Sequence, residues 1–330
     1  MKHPFGTTQN GQPIEAITLT AGDLTATILT RGAVLQDVRL KDVPYSLTLG
    51  SDDAQAYDGT LKYYGALVGP VANRLSKSEA LLDGKVLKLQ ENEGTTSLHG
   101  GPDGMHADVW RITDQTTNSA TLVLDLPDGK GGYPGNRTIT ARFTITAPAQ
   151  LTLEISATTD APTLINIANH SYWNLDGTRS ISGHVLTVPA NSYTPIDALS
   201  IPTGVEPVEC TGFDLRAGAK IGLSDGQRID HNFCLDGDEG ALKTAATLTG
   251  KSGVSLTLET TEIGLQVFDA APISSGDFIG HTGAPYGAFC GVALEAQRWP
   301  DAPNQKGFPS CVLRPEDTYQ QTTRWTFSRP

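Results

Sequence analysis

RTITARFTIT (residues 137–146) and LTLEISATTD (residues 151–160) decide the fold class. In the first, Ile139, Ala141, Phe143 and Ile145 alternate with Thr138, Thr140, Arg142 and Thr144; in the second, Leu151, Leu153, Ile155 and Ala157 alternate with Thr152, Glu154, Ser156 and Thr158. Successive side chains of a strand point to opposite faces, so a period of two marks a strand with one face buried and the other in water. VSLTLETT repeats the pattern from Val254 to Leu258, and the abundant threonine and valine suit a pleated sheet. LDGK (residues 82–85) carries an Asp-Gly hairpin signal, and LPDGKGGYPGN (residues 126–136) reads as a longer loop. Helical periodicity is nearly absent; the best candidate, SDDAQAYD from Ser51 to Asp58, predicts about two turns. No internal repeat, low-complexity linker or break in composition divides the chain. Many short, regularly spaced strands predict an all-β fold, a large antiparallel β-sandwich with very little helix, in a single domain over residues 1–330.

The chain has 330 residues and a formal net charge of −12. An acidic chain without Lys/Arg runs repels phosphate backbones and anionic lipid, so neither nucleic acid nor a membrane surface is expected as a partner. The expected ligand is neutral, or is held in a locally basic pocket. The N-terminal MKHPFGTTQNGQPIEAITLT has no apolar core of a signal peptide, and no stretch approaches the ~20 apolar residues of a membrane helix. Cytoplasmic location is the expectation. Cys210, Cys234, Cys290 and Cys311 form no C-x-x-C and read as buried thiols in a reducing compartment. H-x-x-x-H, H-E-x-x-H, G-x-G-x-x-G and Walker patterns are absent, so neither a metal nor another cofactor is expected. Sandwich surfaces look alike in sequence, so monomer and homodimer stay open.

Polar chemistry gathers in TLINIANHSYWNL (residues 163–175). If the strand persisted, Ile165 and Ile167 would face one way and Asn166, Ala168, His170, Tyr172 and Asn174 the other. A solvated face seldom crowds amides, histidine and aromatics together. A concave face binding a polar ligand would use them: amides donate and accept, histidine moves protons near neutrality, and aromatic rings pack on sugar faces. GPVANRLS places Asn73 beside Arg74, SLHGGPDG places His99 before two glycines, and RIDHNFCLDG offers Asp230 and His231. GVALEAQRWPDAPN sets Glu295 inside an apolar run, where partial burial raises a carboxyl pKa.

With those motifs in hand, the chain resembles the aldose 1-epimerases, or galactose mutarotases, over nearly its whole length. The likeness runs in order through TRGAVLQDVRL, GPVANR, LLDGKVLKLQENEGTTSLHGGPDG, GGYPGNRTIT, NHSYWNL, IPTGVEPV, FDLR, DHNF, GLQVFDA, LEAQRWPDAPN and FPSCVLRPEDTYQQTT. The resemblance implies a galactose mutarotase-like supersandwich with an open sugar cleft, no cofactor, and a small-molecule monosaccharide as ligand. It implies His170 as general acid and Glu295 as general base. It further implies Asn73, Arg74, His99, Ser171, Tyr172, Asp230 and Gln266 as substrate-binding residues. Departures are visible: Pro70 stands where relatives carry arginine in G-R-x-x-N-R, RPEDTY lacks a glycine before its acid, SEALLDG replaces G-R-F-x-L-D-G, and Trp173 stands where many have Phe. They bear on sugar preference, not on the matched catalytic pair.

Mutarotation opens the sugar ring, turns C1 about C1–C2 and recloses on the other face. Opening takes a proton from the C1 hydroxyl and gives one to the ring oxygen. An ionised Glu295 and a protonated His170 across the sugar would do both, each maintaining the other's charge near neutrality. This pairing predicts a bell-shaped pH profile with curvature inside pH 5–9. Arg74, His99 and Asp230 would hold hydroxyls during rotation. Other readings are a hydrolase using Asp230 and Glu295 as paired carboxylates, a non-catalytic carbohydrate-binding sandwich, and an epimerase of an anionic sugar, which would call for more Lys or Arg than Arg74 and Arg298 supply.

Overall fold

Unbroken alternation over ten residues leaves a strand no choice of face, and the two decisive segments pair accordingly. Arg137–Thr146 and Gln150–Thr159 run antiparallel in continuous register, from Arg137↔Thr159 to Thr146↔Gln150. Ile139, Ala141, Phe143 and Ile145 are buried together with Leu151, Leu153, Ile155 and Ala157. The computed structural model describes residues 1–223 and 226–330.

These strands lie within a nine-stranded sheet. Its order is Arg111–Gln115, Ser119–Leu126, Arg137–Thr146, Gln150–Thr159, Tyr319–Ser328, Ser255–Thr260, Lys243–Thr249, Val185–Thr187 and Ala219–Lys220. Against its buried face pack a four-stranded sheet over residues 2–40 and a six-stranded sheet. The six run Tyr172–Trp173, Val292–Gln297, Gly264–Phe268, Asp230–Cys234, Ser192–Thr194 and Glu206–Pro207. All strand pairings within the three sheets are antiparallel. The Asp-Gly hairpin forms as read, with Glu79–Leu82 paired to Lys85–Lys88. Among the described residues no helix is long and apolar enough to cross a membrane.

The six-stranded sheet positions the site because its strand Val292–Gln297 is buried on both faces. Val292, Leu294 and Ala296 face the main core with Leu265, Val267 and Phe233. Trp173 joins them, 5.9 Å from Trp325 and 5.6 Å from Phe327 between ring centroids. The opposite face carries Asn232, Gln266 and Glu295 side by side across three strands.

Three sequence expectations change. The segment 51–58 forms a single 3-10 turn, Ala54–Tyr57, instead of two helical turns. Asp53 caps it by accepting from Gln55 N–H, and Tyr57 is drawn inward to bond Ser51. Cys234, Cys290 and Cys311 are buried, but Cys210 is exposed, in a turn where its φ is 61°. Finally, residues 163–175 do not persist as one strand. They break into Thr163–Leu164, Ala168–Asn169 and Tyr172–Trp173, each paired to a different partner.

Irregular backbone inside a core must find partners for its polar groups. Here side-chain amides supply them. Asn166 exchanges bonds with the main chain of Arg298, Asn169 donates to Gly65 O and accepts from Ser171 N–H, and Asn174 donates to Thr178 O and Cys290 O. Asn166 and Asn174 are thus scaffold residues and do not present a ligand-binding face. Gln321, on the buried side of Tyr319–Ser328, donates to Ile167 O at 2.9 Å and Ala296 O at 3.0 Å. One amide thereby ties the His170 segment and the Glu295 strand to the large sheet. Gln321→Leu leaves both carbonyls buried without that donor, and should lower unfolding stability by about 1–3 kcal/mol, read from the urea midpoint at unchanged slope.

Candidate active site

The exposed end of the six-stranded sheet and the loops around 63–74 and 92–99 enclose a cavity of about 210 Å³. That is smaller than the ~300–1,000 Å³ of pockets for drug-sized ligands and suits one small ring. Glu295 and Asp230 reach it from neighbouring parts of the sheet, with Phe268 beside them. His170 enters from the broken segment, held by bonds between His170 N–H and Ala66 O and between Gly65 N–H and His170 O.

Seven of the nine residues singled out in the sequence line this cavity: Asn73, Arg74, His99, His170, Tyr172, Asp230 and Glu295. Ser171 is buried beside it but is not on its wall. Gln266 lies behind the wall and donates to Asp230 Oδ1 at 2.7 Å, so it orients that carboxylate. His231 packs on Phe213 at 4.2 Å, outside the cavity, and Arg298 is taken up by Glu239 and Ser310 O. Reading by motif missed Tyr63, Glu93, Leu98, Phe268 and Pro272. Tyr63 sits 4.8 Å from His99 and 6.1 Å from His170 between ring centroids, and forms an aromatic wall. Its only sequence signal is the tyrosine doublet upstream of the Asn-Arg pair.

Asn73 and His99 are locked together in backbone conformations that L-residues seldom adopt, with φ of 61° and 55°. Asn73 N–H donates to His99 Nδ1 at 3.1 Å, and His99 N–H donates to Asn73 O at 3.0 Å. Gly100 follows because the chain passes so close to Gly69 O that an added Cβ would lie 2.1 Å from it. An amide N–H can only donate, so Nδ1 of His99 is an acceptor and its single proton sits on Nε2. Burial, then the neighbouring His170 and Arg74, push the His99 pKa well below the ordinary value. His99 is therefore a neutral hydrogen-bond donor.

His170 and Glu295 meet with Nε2 3.5 Å from Oε1, side chains 5% and 3% exposed. Burial pushes Glu295 well above the usual carboxyl range, aided by the nearby Asp230 charge and opposed by Arg74. Burial likewise pushes His170 down to about 4. This corrects the expectation that opposite charges hold each other in place. Burial is the largest influence on each group, and it pushes both toward their neutral forms. Asp230 is raised by burial, with Arg74 and Gln266 working against the rise.

His99, His170 and Glu295 bring one ligand-type atom each within 4.8 Å of one another, a gathering that linear spacing hides. The set does not fit a metal. With Asn73 N–H on Nδ1, a cation at Nε2 would have to strip the only proton of His99. What the arrangement offers is one donor, one acid and one base around a small ring.

The family model for aldose 1-epimerase matches residues 15–326. The chain belongs to the aldose 1-epimerase family. It is 36% identical to galactose mutarotase of Mus musculus, covering 96% of this chain and 95% of the relative. It is 33% identical to aldose 1-epimerase of Escherichia coli K12, covering 96% of both. The solved structure of the GalM/aldose epimerase homologue from C. elegans superposes with a TM-score of 0.87 at 30% identity, covering 95% of this chain and 98% of that one. The sandwich expected from the resemblance is thus the family's fold.

Long-range 1H–15N spectra should find His99 as the Nε2–H tautomer, with no titration between pH 8 and pH 5. A free-solution titration near the ordinary histidine value of ~6.5 would show that the Asn73 contact does not hold.

Proposed function

We propose that the protein interconverts the α and β anomers of a free, uncharged aldose by acid–base ring opening, rotation about C1–C2 and reclosure. The observation that carries this is the buried His170–Glu295 contact, 3.5 Å apart, on the wall of a cavity that takes one ring.

Ring opening removes one proton from the C1 hydroxyl and adds one to the ring oxygen, so the pair must hold one proton at the start and at the end. A carboxylic acid with neutral imidazole and a carboxylate with imidazolium are two placements of that same proton. Burial favours the first. A sugar hydroxyl donating to Glu295, whose Oε2 has no partner, favours the second. We assign Glu295 as base toward the C1 hydroxyl and His170 as acid toward the ring oxygen, following the family resemblance. His99 Nε2–H, Arg74 and Asp230 hold hydroxyls through the open-chain stage, so that rotation occurs without escape. Tyr63, Tyr172 and Phe268 give the ring's apolar faces something to pack on. A binding module needs the hydroxyl contacts but has no use for a buried acid–base pair.

Galactose is the first sugar to test, since relatives sharing about a third of the sequence carry that name. Two-dimensional exchange NMR on equilibrated anomers should show cross-peaks with catalytic amounts of protein. Glu295→Gln and His170→Asn should each lower kcat by ~10²–10⁴-fold while the circular dichroism spectrum is kept. Turnover near wild type in either variant would remove that residue from the mechanism.

The pH dependence follows from the burial-driven shifts. The productive form holds one proton on the pair. Acid adds a second only as pH falls through the depressed His170 value of about 4. Alkali removes the first only well above the ordinary carboxyl range. The kcat/KM profile should therefore be bell-shaped but broad, with its acid limb near pH 4. An acid limb near 6.5, the ordinary histidine value, would mean that the imidazole is hydrated.

A further inference from the structure

Arg74 is the only Lys or Arg among the described residues lining the cavity. It is also engaged. Glu93 grips its guanidinium with two contacts, Oε2 to Nε at 2.5 Å and Oε1 to Nη2 at 3.0 Å. Asp230 Oδ2 lies 3.8 Å from Nη1. Burial works against the Arg74 charge, and Glu93, Asp230 and Glu295 together more than offset it, leaving its pKa above the ordinary value. One cation thus faces Glu93 and Asp230, with Glu295 nearby.

Glu93 is placed by construction. Asn92 spans the turn, accepting from Leu98 N–H at 2.7 Å and donating to Leu98 O at 2.9 Å. Thr96 closes it with two bonds to Glu93 O, from N–H at 2.9 Å and from Oγ1 at 2.8 Å. Other cations serve elsewhere: Lys62 sits 4.9 Å from the Tyr63 ring centroid without lining the cavity, Arg228 is paired to Asp269, and Arg298 to Glu239. The Glu93 side chain is 43% exposed, so its pairing contributes little to folding. Its effect is on the charge that a ligand meets.

We infer that Glu93 is a specificity-determining residue: by holding the Arg74 guanidinium it denies that charge to an anionic sugar and restricts the site to uncharged aldoses. This rests on the mutarotase reading above. A carboxylate or phosphate on the sugar would enter a wall already carrying more negative than positive charge, and its natural fork-shaped partner is occupied. An uncharged hexose meets no such penalty and can use the remaining Nη1 and Asp230 for its hydroxyls.

The test compares galactose with galacturonate by exchange NMR, in wild type and Glu93→Gln, at low and high salt. Wild type should strongly prefer galactose. Glu93→Gln should raise the galacturonate-to-galactose ratio of kcat/KM by on the order of tenfold or more, and the gain should shrink at high salt. The ratio reads charge selection even if both rates fall through a less well held Arg74, and Glu93→Ala should move it in the same direction. A wild type that takes galacturonate as readily as galactose, or a ratio within twofold of wild type in both variants, overturns the inference and leaves the mutarotase reading intact. A wild type that accelerates no aldose overturns both.

Discussion

A carboxyl and an imidazole buried on one cavity wall, 3.5 Å apart, set the terms for the rest of this molecule. In water such a pair would charge and separate. Buried in the wall, both groups are pushed toward their neutral forms. Chemistry that moves one proton off and another on, with no net change, is what such a pair can support. The same burial requires that both groups be held rigidly, because a loosened site would admit water and erase the pKa displacement. The strand Val292–Gln297 meets this by being buried on both faces. His170 meets it by bonding through its main chain to Ala66 and Gly65.

Holding His170 there is structurally demanding. Its segment abandons regular pairing and crosses the interior as three two-residue strands. Asn166, Asn169, Asn174 and Gln321 satisfy the main-chain groups that regular pairing would have satisfied. The amide-rich character of the segment therefore has two sources, only one of which is chemistry: His170 and Tyr172 face the cavity, and the asparagines hold the chain that presents them.

The large sheet was legible because its strands have one wet face, and period two records that directly from Arg137 to Thr159. The short strands were less legible, since a segment buried on all sides shows no alternation. The turn at Ala54–Tyr57 was overread because three buried residues in four mimic a helical face. Seven residues of the cavity wall were legible through family motifs, since each sits in a recognisable local run. Tyr63 and Glu93 were not, because their roles come from where loops distant in sequence meet. The charge state of the acid–base pair was misjudged for a different reason. The family motifs show which groups are neighbours, but not how deeply each is buried, and here burial is the largest influence on both.

Little positive charge is left unbalanced in the site. His99 is fixed as an uncharged donor by the N–H of Asn73, His170 is uncharged at rest by burial, and Arg74 is offset by Glu93 and Asp230. Such a wall offers many directed hydrogen bonds and little unbalanced positive charge. Hydroxyl groups, which donate and accept without carrying charge, are the chemistry it complements.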